Sequence, residues 1–139
     1  MKKLILLLLF VIPLICFGQK SDQMEIELLL NKQKNDWNKG DLEDYMKGYW
    51  KSDSLKFIGK NGITYGWEET LKRYQKSYPN KSAMGNLDFD IISMKPMEES
   101  YFLVTGKWTI TGNSSASGYF SLVLKKLNNQ WIIIYDHSS

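Results

Sequence analysis

Apolar positions in the first third of the chain recur with a helical period. Ser21 or Asp22 is placed to cap a helix through "QMEIELLLNKQKNDWNKG", where Ile26, Leu29, Leu30, Gln33 and Trp37 fall on one face. Gly40 ends that helix, and Asp41 caps a second, "LEDYMKGYW", whose apolar side is Leu42, Tyr45, Met46 and Tyr49. Gln33 is the polar member of an otherwise apolar stripe, so it needs partners from the protein or from a ligand. A short hairpin follows, "LKFIG" and "ITYG" joined through "KNG". "WEETLKRYQKSYP" predicts a third helix with Trp67, Leu71, Tyr74 and Tyr78 on one side and Pro79 as its stop.

Beyond "NKSAMGN" the period changes from 3.6 to 2. Four strands are expected: "LDFDIISM", "YFLVTGKWTIT", "GYFSLVLKKL" and "WIIIYDHS". The connections "KPMEES", "GNSSAS" and "NNQ" have hairpin lengths, so consecutive strands pair as neighbours. Helices first and long strands afterwards predict an α+β fold: a curved antiparallel sheet with three helices on its concave face. Sheets twist, and a long twisted sheet covered by helices leaves a cone with one open end, a common place for a small-molecule pocket. No repeat or linker divides the chain.

The first residues change the picture of where the protein works. "MKKLILLLLFVIPLICFG" has a basic start, an apolar stretch too short for a bilayer span, and a small residue at its end. A signal peptide over residues 1–18 is expected, with one domain over residues 19–139 and a periplasmic or secreted destination. Ile15 before Cys16 is too large for a lipid-attachment signal, so cleavage near Gly18 is expected rather than lipidation. Without Lys2 and Lys3 the formal charge falls from +3 to about +1, which lacks the basic footprint of a nucleic-acid binder. The mature part has no cysteine, so disulfides do not hold it together. One histidine and no cysteine also leave no metal-ligand pattern, and no cofactor is expected.

The element order, with "WNKGDLEDYMKGYW" early and "WIIIYDHSS" at the end, resembles the nuclear transport factor 2-like superfamily. Ketosteroid isomerase, SnoaL-like cyclases, scytalone dehydratase and the association domain of calcium/calmodulin-dependent kinase belong to it. "FIGKNGITYGWEETLKRYQKSYP", "GKW" and "GYFSLVLKK" look like its small secreted bacterial branch of unknown function. The resemblance implies the cone fold and says little of chemistry, because function lives in the site. The isomerase's catalytic tyrosine would fall on Gln33, its aspartate within Phe57 to Gly59, and its second acid near Gly118 and Tyr119. None of these positions carries the needed group, so isomerase chemistry by that mechanism is not expected.

Candidate chemistry gathers in the last strand. Asp136 and His137 are adjacent, and neighbours on a strand point to opposite faces, so they form no dyad. Strict alternation puts Trp131, Ile133, Tyr135 and His137 on one face, and Ile132, Ile134, Asp136 and Ser138 on the other. Similarity to the kinase association domain, with histidines at the positions of Tyr135 and His137, assigns the first set to the cone. A terminal bulge would reverse this and bring Asp136 and Ser138 inward. Tyr and Trp want hydrogen-bond partners when buried. Trp37, Tyr45, Tyr49, Trp108 and Tyr119 are therefore candidate ligand contacts, together with Gln33, Asp136, Tyr135 and His137. Gln33 and His137 are expected to face each other across the cone.

Three readings follow. One is an exported domain that binds a small, partly apolar molecule. A second is a lyase, isomerase or cyclase with His137 as general base. A third is a module that dimerises through the sheet and has a filled cone. No nucleic-acid partner is expected, nor a membrane partner after cleavage.

Overall fold

A computed structural model describes residues 15–139. The expected signal peptide falls outside the described residues apart from its last four. Helix α1 spans Ile15–Lys39 and presents Ile26, Leu30, Gln33 and Trp37 as buried positions. It begins upstream of the expected caps. Asp22 instead reaches across to the sheet, where its Oδ1 accepts from Lys126 Nζ at 2.7 Å and from the Trp131 indole at 3.1 Å. Gly40 ends α1 with φ at +86°, a conformation that favours glycine. Helix α2, Leu42–Met46, starts from Asp41, whose carboxylate accepts from the Asp44 amide. The hairpin is β1, Lys56–Gly59, and β2, Gly62–Tyr65. Helix α3, Trp67–Ser77, follows, then a single turn α4, Lys81–Met84, in the stretch "NKSAMGN" to which the sequence reading assigns no element.

The remainder is β3 (Asn86–Glu98), β4 (Tyr101–Thr111), β5 (Ala116–Leu127) and β6 (Gln130–Ser138). The strand order is β2-β1-β6-β5-β4-β3. Consecutive long strands pair antiparallel, as their short links require. The β1–β6 pairing is parallel, so the sheet is mixed rather than wholly antiparallel as expected. The physical reason is the long crossover: α3, α4 and four strands separate β1 from β6, so nothing forces the hairpin sense.

The core lies between the helices and the concave face. Ile26, Leu30, Leu124 and Ile133 are buried in it, and Phe102 meets Trp131 edge-on with centroids 5.2 Å apart. One irregularity in β6 matters for everything that follows. The edge of β6 first bonds the segment after α2: Ile133 donates to Gly48 O at 2.9 Å and accepts from Trp50 N at 2.8 Å. From Tyr135 onward the same edge pairs with β1. On the other side, Ile133 opposes Leu124 and Tyr135 opposes Val123, which leaves Ile134 without a partner. That extra residue is a β-bulge, and it resets the alternation of side chains downstream.

Candidate functional site

Between the helices and the sheet lies a cavity of about 400 Å3. Its roof is aromatic. Trp37 from α1 packs edge-on against Tyr45 at 5.3 Å and against Tyr78 at 4.7 Å. Tyr74 from α3 meets Tyr45 at 5.4 Å and Phe57 of β1 at 5.6 Å. The sheet forms the other wall, where Phe89 stands edge-on to Phe120 at 5.5 Å, with Trp108, Ile110 and Leu122 beside them. Glycine at two sheet positions makes room for large side chains of the wall. A Cβ on Gly106 would run into the Phe120 ring, and one on Gly59 would stand 2.7 Å from the Arg73 guanidinium. Arg73 therefore lies across β1 near the mouth. It is anchored by Nη1 on Gly62 O and Thr64 Oγ1, with its charge over the Phe57 ring.

Asp136 is the polar centre of this cavity. Its side chain is buried with 3% exposure, and the cavity reaches it. Tyr49 donates its hydroxyl to Oδ2 at 2.7 Å, and Ser138 donates to Oδ1 at 2.7 Å. With the Tyr49 proton used on Asp136, the Tyr45 hydroxyl 3.4 Å away is the donor to Tyr49. Burial dominates the electrostatics and pushes the Asp136 carboxyl up to about 6, although its two hydroxyl donors, and more distantly His137 and Arg73, favour the charged form. Burial, with the negative charge of Asp136, also pushes Tyr45 up to about 12. Burial likewise raises Tyr49 and Tyr74 well above the usual phenol range, so all three are hydroxyl donors at neutral pH. The Trp108 indole N–H is buried without a partner among the described residues.

Six of the residues singled out in the sequence line this space: Gln33, Trp37, Tyr45, Tyr49, Trp108 and Asp136. Gln33 is satisfied within the protein, donating from Nε2 to Tyr45 O at 3.1 Å. Three residues are not on the cavity. His137 is exposed, and Tyr135 lies on the outer face with it, because the bulge at Ile134 inverts the alternation counted from Trp131. Tyr119 alternates with the inward Phe120 and is 61% exposed. Gln33 and His137 therefore do not face each other, and His137 is not placed to act as a base in the cone. The filled-cone arrangement is not found either, since Trp37 and Trp108 form walls around the cavity. Tyr74, Tyr78, Phe57, Phe89 and Arg73 were not anticipated as wall residues. Tyr74 and Tyr78 were readable as such, since they continue the buried stripe of α3. Arg73 was not, because its position depends on space above Gly59.

No protein-family model matches the chain, and no curated protein matches it. Solved structures do. A nuclear transport factor 2-like protein of unknown function from Shewanella oneidensis is 37% identical, with a TM-score of 0.81 over 85% of this chain and 98% of its own. A nuclear transport factor 2-like superfamily protein from Salmonella enterica has 18% identity and a TM-score of 0.69, covering 87% and 92%. A putative scytalone dehydratase from Novosphingobium aromaticivorans has 10% identity and a TM-score of 0.70, covering 88% and 86%. The latter two share the fold alone. The first shares sequence along nearly its full length, around the same curved sheet and helical roof, and the chain therefore belongs to the nuclear transport factor 2-like superfamily.

Proposed function

We propose that this chain is an exported domain that binds a small, largely apolar molecule in its cone. The observation that carries this reading is the cavity itself: about 400 Å3, walled by aromatic and aliphatic side chains. Convergent polar groups in a mostly apolar cavity of this size are the usual make-up of a small-molecule site. Here they are the Asp136 carboxyl and the Tyr49 and Ser138 hydroxyls that donate to it. Export is supported by the residues "MKKLILLLLFVIPLICFG".

Native mass spectrometry of the mature protein, purified from its own host, tests the reading. A bound small molecule is expected, and Leu122→Trp, which places an indole where the cavity is, should abolish it. The reading is overturned if the native protein carries nothing and a thermal-shift screen gives the same responses for wild type and Leu122→Trp.

A second reading, a lyase- or isomerase-type enzyme, is favoured by one observation. Asp136, not His137, is a carboxyl near 6 inside the cavity and within reach of a bound molecule. A carboxylate so tuned suits proton abstraction near neutral pH. Deuterium uptake from solvent into the co-purified molecule, lost in Asp136→Asn, would distinguish this from binding alone.

A further inference from the structure

Buried carboxylates are paired with a cation as a rule, because burial removes the water that would otherwise stabilise the charge. Asp136 breaks that rule. It is almost wholly buried, yet the ion pairs of the described residues do not include it. Among the described residues its side-chain partners are two neutral hydroxyls, those of Tyr49 and Ser138. A carboxylate accepts about four hydrogen bonds, so roughly two acceptor sites remain after these. Asp136 is among the residues that line the cavity, which places these sites beside the space a bound molecule would fill.

The groups around it fit a cation. Tyr45, Tyr49 and Tyr74 lie near enough for the Asp136 charge to oppose their ionisation, and Phe57 pairs with Asp136 across the β1–β6 ladder. Tyrosine hydroxyl oxygens keep acceptor lone pairs that a donor bound beside Asp136 can use. Two cations line the cavity: Lys60 is exposed in the turn between β1 and β2, and Arg73 of α3 is held by Gly62 O and Thr64 Oγ1 and stacked on Phe57. His137 follows Asp136 in sequence but lies on the outer face of the sheet.

We infer that the molecule bound in the cone is a protonated amine with an apolar body, whose ammonium is the missing counter-ion of Asp136. This rests on the cone being a small-molecule site and adds the chemical class. An ammonium supplies several donors where acceptor capacity is unused, and it restores the charge pairing that burial demands. A carboxylate ligand would meet like charge there. A neutral alcohol would offer one donor and leave the charge unpaired.

Three probes of one shape test the inference: phenylbutylamine, phenylbutanol and phenylbutyrate, each titrated calorimetrically into the mature protein. At about pH 7.5 the amine should bind at least about tenfold tighter than the other two. Its advantage should shrink as pH falls below about 6, where Asp136 takes up a proton. Asp136→Asn should remove the advantage and keep weak binding of the alcohol. His137→Gln should keep both the advantage and its pH dependence, which separates Asp136 from the outer imidazole. If the alcohol or the acid binds wild type as well as the amine does, the amine class is wrong and the pocket stands. If none of the three binds, and Leu122→Trp responds to a broader library as wild type does, the pocket reading falls too. Should Asp136→Asn fail to fold, the ranking and pH dependence on wild type and His137→Gln decide between the same outcomes.

Discussion

Asp136 carries a stability signature that can be measured without any ligand. Its carboxyl sits near 6 in the folded chain, against an ordinary value of 3.8. Between those values the folded state holds a proton that the unfolded state has released. Stability therefore falls as pH rises from about 4 to about 6 and levels off above, by on the order of 3 kcal/mol. Asp136→Asn removes the charge and keeps one acceptor oxygen for Tyr49, while the Ser138 hydroxyl turns to accept from the new amide NH2, so it should flatten this window and raise stability at pH 7. Urea denaturation of both proteins across the range measures the difference. Exposed carboxylates such as Asp44 and Asp88, held low by lysine neighbours, slope the other way. They cancel in the comparison. A window that is identical in the two proteins would refute the assignment.

The early run "WNKGD" shows how a few residues fix the seating of one element on another. Trp37 donates its indole N–H to Met84 O at 3.1 Å. Asn38 bonds both backbone groups of Leu87, accepting from N at 2.7 Å and donating to O at 3.0 Å, as a neighbouring strand would. Gly40 turns the chain and Asp41 starts α2. Thus the end of α1 is tied to the first residues of β3, which sets the height of the aromatic roof above the sheet. Asn38→Ala leaves the Leu87 amide and carbonyl unpaired in a half-buried place. It should cost about 1–3 kcal/mol in urea denaturation. A loss below about 0.5 kcal/mol would mean that water replaces the amide without penalty. The cap and turn residues of this run were readable in the sequence. The pairing of Asn38 was not, because its partner lies 49 residues away.

The molecule as a whole is an open sheet with two different edges. β3 is long, yet it is broken by shifts at Ile92 and Met97 and carries Lys95 and Pro96, devices that discourage strand addition. β2 is four residues long and mostly exposed, and it is held by β1 and by Arg73 of α3. β4, β5 and β6 carry the buried Val104, Leu124 and Ile133, each with 1% exposure or less. Amide hydrogen exchange should therefore be fastest in Gly62 to Tyr65 and slowest at the centres of β4 and β5, the latter approaching the global unfolding free energy. Equal protection across the sheet would show that the hairpin is part of the same cooperative unit.

The sequence by itself determined the element order, the turns, the buried stripes of the helices and hence the family fold, because these rest on local period and capping chemistry. It also pointed to the aromatic wall, since Trp37, Tyr45 and Tyr49 follow from helical spacing. Only the tertiary structure decided which of Asp136 and His137 enters the cone. Alternation along a strand is a local rule, and one unopposed residue, Ile134, inverts it. That residue is extruded where the edge of β6 passes from the segment at Gly48 to Trp50 over to β1. The registers of both neighbouring strands settle it, and no pattern within β6 records them.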